Sequence, residues 1–204
     1  MFARTISRAR PTFALTLLAL FLSSPLEAAI LNIVAIGASN TTGFGVGPEA
    51  AYPAQLQVLL RKKGIQAKVI NAGVNGDTTS GMLRRLDGAV PKGTNIVILQ
   101  PGGNDLRFGF SREQRAANVA AMVKRLRARE IRVIVYDPEM IPADFYQWDH
   151  IHFNASAHAR IAAKLAGEIA AVAAALPAPP AAPAEPAPSQ QQPSAPQPPS
   201  LGQQ

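Results

Sequence analysis

The chain has 204 residues, a formal net charge of +7 and no cysteine. The lack of cysteine excludes thiol catalysis, disulfides and cysteine-ligated metals, so the core alone must stabilise the fold. The basic residues are spread over predicted helices rather than clustered in a stripe with aromatic residues, which argues against a nucleic-acid binder. The length predicts one domain plus extensions.

The first 28 residues have the pattern of a secretory signal peptide. Three arginines precede an apolar run at residues 13–22, and small residues follow up to Ala28. The run is too short for an ordinary membrane span, so we expect residues 1–28 to be removed by cleavage after Ala28. The alternative is an uncleaved N-terminal anchor. The expected location of the protein is the periplasm or the medium.

The other end of the chain, residues 177–204, consists almost entirely of Pro, Ala, Gln and Ser. It holds 10 of the 18 prolines. Such a composition cannot bury enough apolar surface to offset the entropy of ordering. We therefore expect a disordered tail after a folded domain at residues 29–176.

Short apolar runs and helix-period patterns alternate along this domain. The predicted elements are a strand at Ile33–Ile36, a helix at Tyr52–Lys63, a strand at Ala67–Asn71, a helix around Ser80–Leu86, a strand at Asn95–Gln100, a helix from Ser111 to Arg129, a strand at Ile131–Tyr136 and a helix from Asn154 or Ser156 to about Leu176. Such alternation is typical of an α/β fold, a three-layer, flavodoxin-like parallel sheet with helices on both faces.

Each predicted strand is followed by a loop of unusual composition. The first loop contains Gly37-Ala38-Ser39, and the second contains Asn71–Thr79, in which Asp-Thr-Thr follows Gly76. The third contains Gly102-Gly103-Asn104-Asp105, and the last, before the final helix, contains Asp149-His150-Ile151-His152. Because the carboxyl ends of parallel strands meet at one edge of a sheet, we expect these loops to lie together.

The order and spacing of these four loops resemble the SGNH hydrolases, also called the GDSL esterase/lipase family. The resemblance extends from about Ile33 to Leu165. It implies that Ser39 is a nucleophile, with His152 as its base and Asp149 as the residue that orients the base. It also implies an oxyanion hole that includes Gly76 and Asn104.

The chemistry of these residues agrees with that implication. A serine hydroxyl needs an adjacent base to act as a nucleophile, and the ordinary pKa of histidine suits that task. A carboxylate fixes the histidine tautomer and stabilises the imidazolium. An oxyanion needs preorganised donors, for which Gly76 permits close backbone approach, Asn104 brings an amide and Ser39 brings its own N–H.

Other interpretations of these residues are open at the level of sequence. His152 alone is compatible with a capping or core histidine, and His150 competes with it on the same loop but is out of register with Asp149. We expect Asp77 and Asp105 to be structural. His158 is predicted on the surface of the last helix, and three phenylalanines are candidates for either an acyl pocket or loop packing: Phe44, Phe108 and Phe110.

The chain departs from the family pattern in two places. Ala38 replaces the usual aspartate, which predicts altered loop bonding rather than loss of activity. Only about a dozen residues separate the fourth strand from Asp149, where family members commonly have another helix and strand. We therefore expect a sheet trimmed to about four strands, a short loop that carries Asp149 and His152, and an open site.

The sequence thus predicts a secreted serine esterase that hydrolyses carboxylic esters or thioesters through an acyl-Ser39 intermediate. The expected partner is a small-molecule or polymer-linked ester, without nucleic acid or a stable membrane span. No cofactor is expected, since no His, Asp and Glu cluster has metal-ligand spacing. The alternative is a non-catalytic envelope protein that binds a ligand in the same cleft.

Overall fold

The computed structural model describes residues 30–136 and 141–174. The expected signal peptide at residues 1–28 and the expected tail at residues 177–204 lie outside the described residues. So do residues 137–140 of the segment that precedes Asp149.

Four strands form one sheet in the described part of the chain. They are β1 (Leu31–Gly37), β2 (Ala67–Gly73), β3 (Ile96–Gln100) and β4 (Arg132–Val135). Every neighbouring pair is parallel, and the order across the sheet is β2-β1-β3-β4. This order is that of a flavodoxin-like sheet that stops at its fourth strand, so the predicted fold class is confirmed.

Helices connect the strands and cover the sheet. They are α1 (Ser39–Thr42), α2 (Tyr52–Lys62), α3 (Thr79–Ala89), α4 (Asn104–Arg107), α5 (Arg112–Arg127) and α6 (Ala155–Ala173). The sequence places the starts of the long helices well, because their caps are local. Ser111 and Gln114 form a reciprocal capping box at the start of α5, and the Asn154 side chain accepts from the Ala157 N–H at the start of α6.

The sheet separates two apolar layers. On one face β1 packs through Ile33 and Ala35 against α2 and α6, and on the other it packs through Val34 and Ile36 against α3 and α5. Strand side chains alternate between faces, so a central strand covered on both sides must be apolar at every position. This requirement explains the uninterrupted apolar run that precedes Gly37.

The ends of the strands are in register at one edge of the sheet. Gly37 at the end of β1 is aligned with Gly73 of β2 and with Gln100 of β3. The loops that follow these strands therefore leave the sheet at the same level. No helix in the described part of the chain is long and apolar enough to cross a membrane.

The position predicted for His158 is wrong. Its side chain is completely buried in the layer between α2 and α6, and its Nδ1 accepts a hydrogen bond of 3.1 Å from the Tyr52 backbone N–H. Burial lowers the pKa of His158 from 6.5 to about 4, so the imidazole is neutral at physiological pH. The sequence misleads here because α6 is rich in alanine on all sides, so the position of a polar residue such as His158 does not show which face is exposed to solvent.

Candidate active site

Ser39 begins α1 immediately beyond the end of β1. The chain turns sharply here, and a Cβ added at Gly37 would lie 2.0 Å from the Thr41 hydroxyl oxygen, so this position requires glycine. The buried Thr41 hydroxyl donates to the Gln100 side-chain oxygen at the end of β3. The turn that carries Ser39 is therefore fixed to the neighbouring strand.

Asp149 and His152 are held together within one short loop. The Asp149 Oδ1 accepts hydrogen bonds of 3.0 Å from the backbone N–H groups of Ile151 and His152. Its Oδ2 lies 2.5 Å from His152 Nδ1. These hydrogen bonds, from the His152 backbone first, then from its ring and from Ile151, hold the pKa of Asp149 well below the ordinary value of 3.8. The loop thus holds an ionised Asp149 against the His152 imidazole.

The imidazole of His152 joins this loop to Ser39. Its Nε2 lies 3.0 Å from Ser39 Oγ, and its ring contacts Phe44, with the ring centroids 4.4 Å apart. With an ionised Asp149 on Nδ1, the tautomer that has its proton on Nδ1 leaves Nε2 free to accept the serine proton. The geometry therefore allows a proton to pass from Ser39 to His152 while Asp149 stabilises the resulting charge.

His150 has a different surrounding. It adopts a left-handed backbone conformation with φ of 57°, and its side chain lines the cleft beside Ser39. The hydrogen bond to Ser39 and the carboxylate contact both belong to His152. The structure thus brings Ser39, Asp149 and His152 together.

Asn104, at the start of α4, is hydrogen-bonded to the loop that contains Gly76 and Asp77. The Asn104 Nδ2 donates to the Asp77 backbone oxygen at 2.8 Å, which uses one of its two N–H groups. Asn104 lines the same cleft as Ser39. Gly76 immediately precedes Asp77 with φ of +75° and is solvent-exposed rather than part of the cleft lining. The arrangement keeps the Asn104 amide near Ser39 and Gly76 on an adjoining loop.

Asp77 and Asp105 are structural in the folded chain, as expected, and Asp77 Oδ1 also accepts a local hydrogen bond of 3.0 Å from the Thr78 backbone N–H. Asp77 forms an ion pair of 2.8 Å with Arg85. Asp105 is buried and accepts from the Thr79 backbone N–H and hydroxyl group at 2.9 and 2.5 Å. Both carboxylates therefore join α3 to the loops at the sheet edge.

Arg85 and Arg115 also hold the backbone around the site, a role that the sequence did not reveal. Arg85 donates to the backbone oxygens of Gly37 and Ala72, at 3.2 and 2.8 Å, in addition to its contact with Asp77. Arg115 donates to the backbone oxygens of the loop after β3. Arg115 lies in the first turn of α5 and Arg85 lies in the middle of α3, and no local sequence pattern signals either role.

A cleft of about 380 Å³ opens beside Ser39. Its lining includes both small residues and larger side chains: Ala38, Gly102 and Gly103, and Leu106, Tyr146 and Ile151. Phe44, Phe108 and Phe110 are 49, 63 and 41% exposed and are not among the residues that line this cleft. Phe44 instead packs against the His152 ring of the neighbouring loop. No group of three or more metal-ligating side chains occurs in the described residues.

Comparison with known proteins identifies relatives of one kind. The model of the GDSL-like lipase/acylhydrolase family matches residues 35–195. The chain is 30% identical to "Esterase TesA" of Pseudomonas aeruginosa over 57% of this chain and 58% of that protein. It is 26% identical to "Arylesterase" of Vibrio mimicus over 63% of this chain and 64% of that protein. The matches thus span less than two thirds of either relative.

Solved structures have the same fold. The esterase EstA from Pseudoalteromonas sp. superposes with a TM-score of 0.62 at 20% identity, over 70% of this chain and 98% of that one. AlinE4, described as an SGNH-hydrolase family esterase, superposes with a TM-score of 0.53 at 28% identity, over 74% of this chain and 98% of that one.

Proposed function

The chain belongs to the GDSL-like lipase/acylhydrolase family, and we propose that it is a serine esterase that forms an acyl intermediate on Ser39. The observation that carries the proposal is the contact of 3.0 Å between Ser39 Oγ and His152 Nε2, with Asp149 on the opposite ring nitrogen. The esterase names of the two curated relatives and of AlinE4 support the same reaction type.

The first half of the proposed reaction acylates Ser39. The Ser39 oxygen attacks the ester carbonyl carbon while its proton moves to His152 Nε2, and the charge of Asp149 stabilises the imidazolium. The negative charge on the carbonyl oxygen is stabilised by the Ser39 N–H and by the Asn104 amide, two groups of residues that line the cleft. When the tetrahedral intermediate collapses, the bond to the leaving group breaks and His152 gives its proton to the departing alcohol or thiol.

The second half of the reaction returns the enzyme to its starting state. Water attacks the acyl-Ser39 carbonyl as His152 removes one of its protons. Collapse of the second tetrahedral intermediate releases the carboxylic acid, and the proton passes from His152 back to the Ser39 oxygen. The substrates that we propose are carboxylic esters or thioesters.

Covalent labelling tests this proposal without knowledge of the natural substrate. The purified full-length chain is incubated with a small fluorophosphonate, and its intact mass is measured. We expect a single adduct on Ser39 that disappears in Ser39→Ala and becomes very slow in His152→Ala. His150→Ala should still be labelled, because the contact with Ser39 belongs to His152. A folded wild-type chain that gains no mass would refute the proposal.

We also propose that the protein is exported. The support is the sequence of residues 1–28, in which arginines, an apolar run and small residues follow one another. Expression of the full-length chain in a bacterial host should yield a periplasmic or secreted protein that begins at residue 29, as N-terminal sequencing would show. Retention of residues 1–28 on the mature protein would favour an anchor instead.

A further inference from the structure

The Asp149–His152 pair depends little on the rest of the site for its own geometry. Both acceptor oxygens of Asp149 are used within the loop, on Ile151 and His152. The same loop is closed by the hydrogen bond of 2.6 Å from the Gln147 N–H to the His152 carbonyl. The pair would therefore persist if the loop shifted as a unit, whereas the distance from His152 to Ser39 would change.

Asn40 bridges this loop and the turn that carries Ser39. Its Nδ2 donates to the Ile151 carbonyl at 3.1 Å, and its Oδ1 accepts from the Phe153 N–H at 2.8 Å. These two backbone groups belong to the residues on either side of His152. Because Asn40 directly follows Ser39 in α1, one side chain connects the nucleophile's neighbour to both neighbours of the base.

A second amide joins the same segments. Gln147 Nε2 donates to the carbonyls of Phe44 and Phe153, each at 2.8 Å. Phe44 lies in the turn that follows α1. Gln147 thus holds the two segments against each other, whereas the bonds of Asn40 are made to the two residues that flank His152.

We propose that Asn40 is a positioning residue that sets the Ser39–His152 distance by bonding the backbone on both sides of His152. This inference rests on the proposed function. Serine activation requires the base within hydrogen-bonding reach, and a displacement of about 1 Å can cost on the order of 100-fold in rate. Regular structure does little to position the loop, because the helical part of residues 141–154 is a single three-residue 3₁₀ turn at Ala143–Phe145.

The test compares the full-length wild type with Asn40→Ala and with the control Asn32→Ala. Asn32 lies at the opposite end of β1, where its side chain also donates to a backbone carbonyl, that of Gly93. We expect Asn40→Ala to be labelled by a fluorophosphonate on the order of 100-fold more slowly, with a similar fall in kcat for a small ester and little change in KM. The control should be labelled at the wild-type rate.

Proton NMR separates positioning from a general loss of structure. The low-field resonance of the proton between His152 and Asp149 should persist in Asn40→Ala, because that contact is internal to the loop. Asn40→Asp keeps the acceptor for the Phe153 N–H. Its labelling rate tests the proposal if the alanine variant does not fold. We expect this variant to be labelled more slowly than the wild type and faster than Asn40→Ala.

Three results would overturn the inference. One is an Asn40→Ala rate within about threefold of the wild type, since a displaced base would cost far more. Another is a loss of labelling that only parallels the unfolded fraction. The third applies if Asn40→Ala does not fold: labelling of Asn40→Asp at the wild-type rate would then overturn the inference. An unlabelled wild type would instead refute the proposed function itself, so the two failures are distinguishable.

Discussion

At the scale of single residues, Asp149 combines two tasks that depend on its charge. Its carboxylate accepts the two backbone N–H groups that shape the loop, and it also contacts the His152 ring. Because these hydrogen bonds hold the pKa of Asp149 well below 3.8, the carboxylate remains charged throughout the mildly acidic range. It stabilises the folded loop above pH 3.8, and this contribution is lost only as the pH falls through the depressed pKa.

The first prediction concerns that charge. Asn at position 149 can accept one loop N–H group but does not stabilise an imidazolium, so Asp149→Asn should lower kcat by on the order of 1,000-fold or more. Hydrolysis of p-nitrophenyl acetate by the purified variant measures this. Asp144→Asn is the matched control, since Asp144 is exposed and contributes its backbone carbonyl to the loop. Equal activity of the two variants would contradict the role assigned to Asp149.

The second prediction concerns the pH profile of the wild type. Because Asp149 stays ionised down to a pH well below 3.8, its protonation should not contribute to inhibition of the enzyme above pH 4. A plot of log(kcat/KM) against pH should then rise with a slope of about one on its acidic side. A slope near two would mean that two groups must lose a proton, which would contradict an Asp149 that is already ionised.

At the scale of helices and strands, α3 acts as a clamp on the loops at the sheet edge. Arg85 bonds Gly37 before Ser39, Ala72 at the end of β2 and Asp77 beside Gly76. The Asp77 side chain is only 9% exposed. Its charge has a hydrogen-bonded partner in the folded protein, and removal of that partner leaves a partly buried carboxylate.

The third prediction uses two adjacent arginines of α3. Arg85→Ala should lower the free energy of unfolding by about 1–3 kcal/mol. It should also reduce kcat, because the Asp77 loop, whose backbone carbonyl accepts from the Asn104 amide, loses its attachment. Arg84→Ala removes an exposed side chain that bonds Ser80, and it should change neither quantity appreciably. Urea denaturation and ester hydrolysis measure the two effects. Similar results for both variants would show that α3 does not act as a clamp.

The fourth prediction concerns the contact between α2 and α6. His158 stays neutral in the folded protein down to about pH 4, whereas it is protonated below about 6.5 in the unfolded chain. The folded state therefore binds fewer protons in this range, so stability falls as the pH is lowered from 6.5 toward 4, by up to about 3 kcal/mol. Below pH 4 this loss is complete.

Urea denaturation at several pH values measures this dependence. In His158→Gln the slope between pH 6.5 and 4 should be smaller, since glutamine does not titrate and still offers an acceptor for the Tyr52 N–H. His150→Gln, at an exposed site, should keep the wild-type slope. If the slope is unchanged in His158→Gln, other groups account for the acid sensitivity.

Contacts near in sequence were predictable, and contacts distant in sequence were not. The strands and long helices follow from short apolar runs and caps such as Ser111, which depend on residues a few positions apart. The hydrogen bonds of Asn40 to the backbone of Ile151 and Phe153, of Arg85 to Gly37 and of Gln147 to Phe44 join residues 48 to 113 positions apart. Each depends on how loops meet at the sheet edge, and no local pattern distinguishes such an asparagine or arginine from a solvated one.

At the scale of the whole molecule, the sheet ends at β4 in the described part of the chain. This strand is short, and Val135 at its end is 46% exposed. The cleft beside Ser39 is therefore bounded by loops and by the short helix α4. Its volume of about 380 Å³ lies near the lower end of the range for ligand pockets. It is large enough for a modest acyl or alcohol group but not for an extended substrate.

The last prediction follows from this shape. A large leaving group would have to extend out of the cleft, whose lining includes two residues without side chains, Gly102 and Gly103. We therefore expect acetyl esters on a polysaccharide to be hydrolysed with a kcat/KM comparable to that for small acetyl esters. Acetate release from both substrates, with Ser39→Ala as the control for spontaneous hydrolysis, measures this. If only small soluble esters react, the loops restrict access more than the truncated sheet suggests, and the natural substrate is a small molecule.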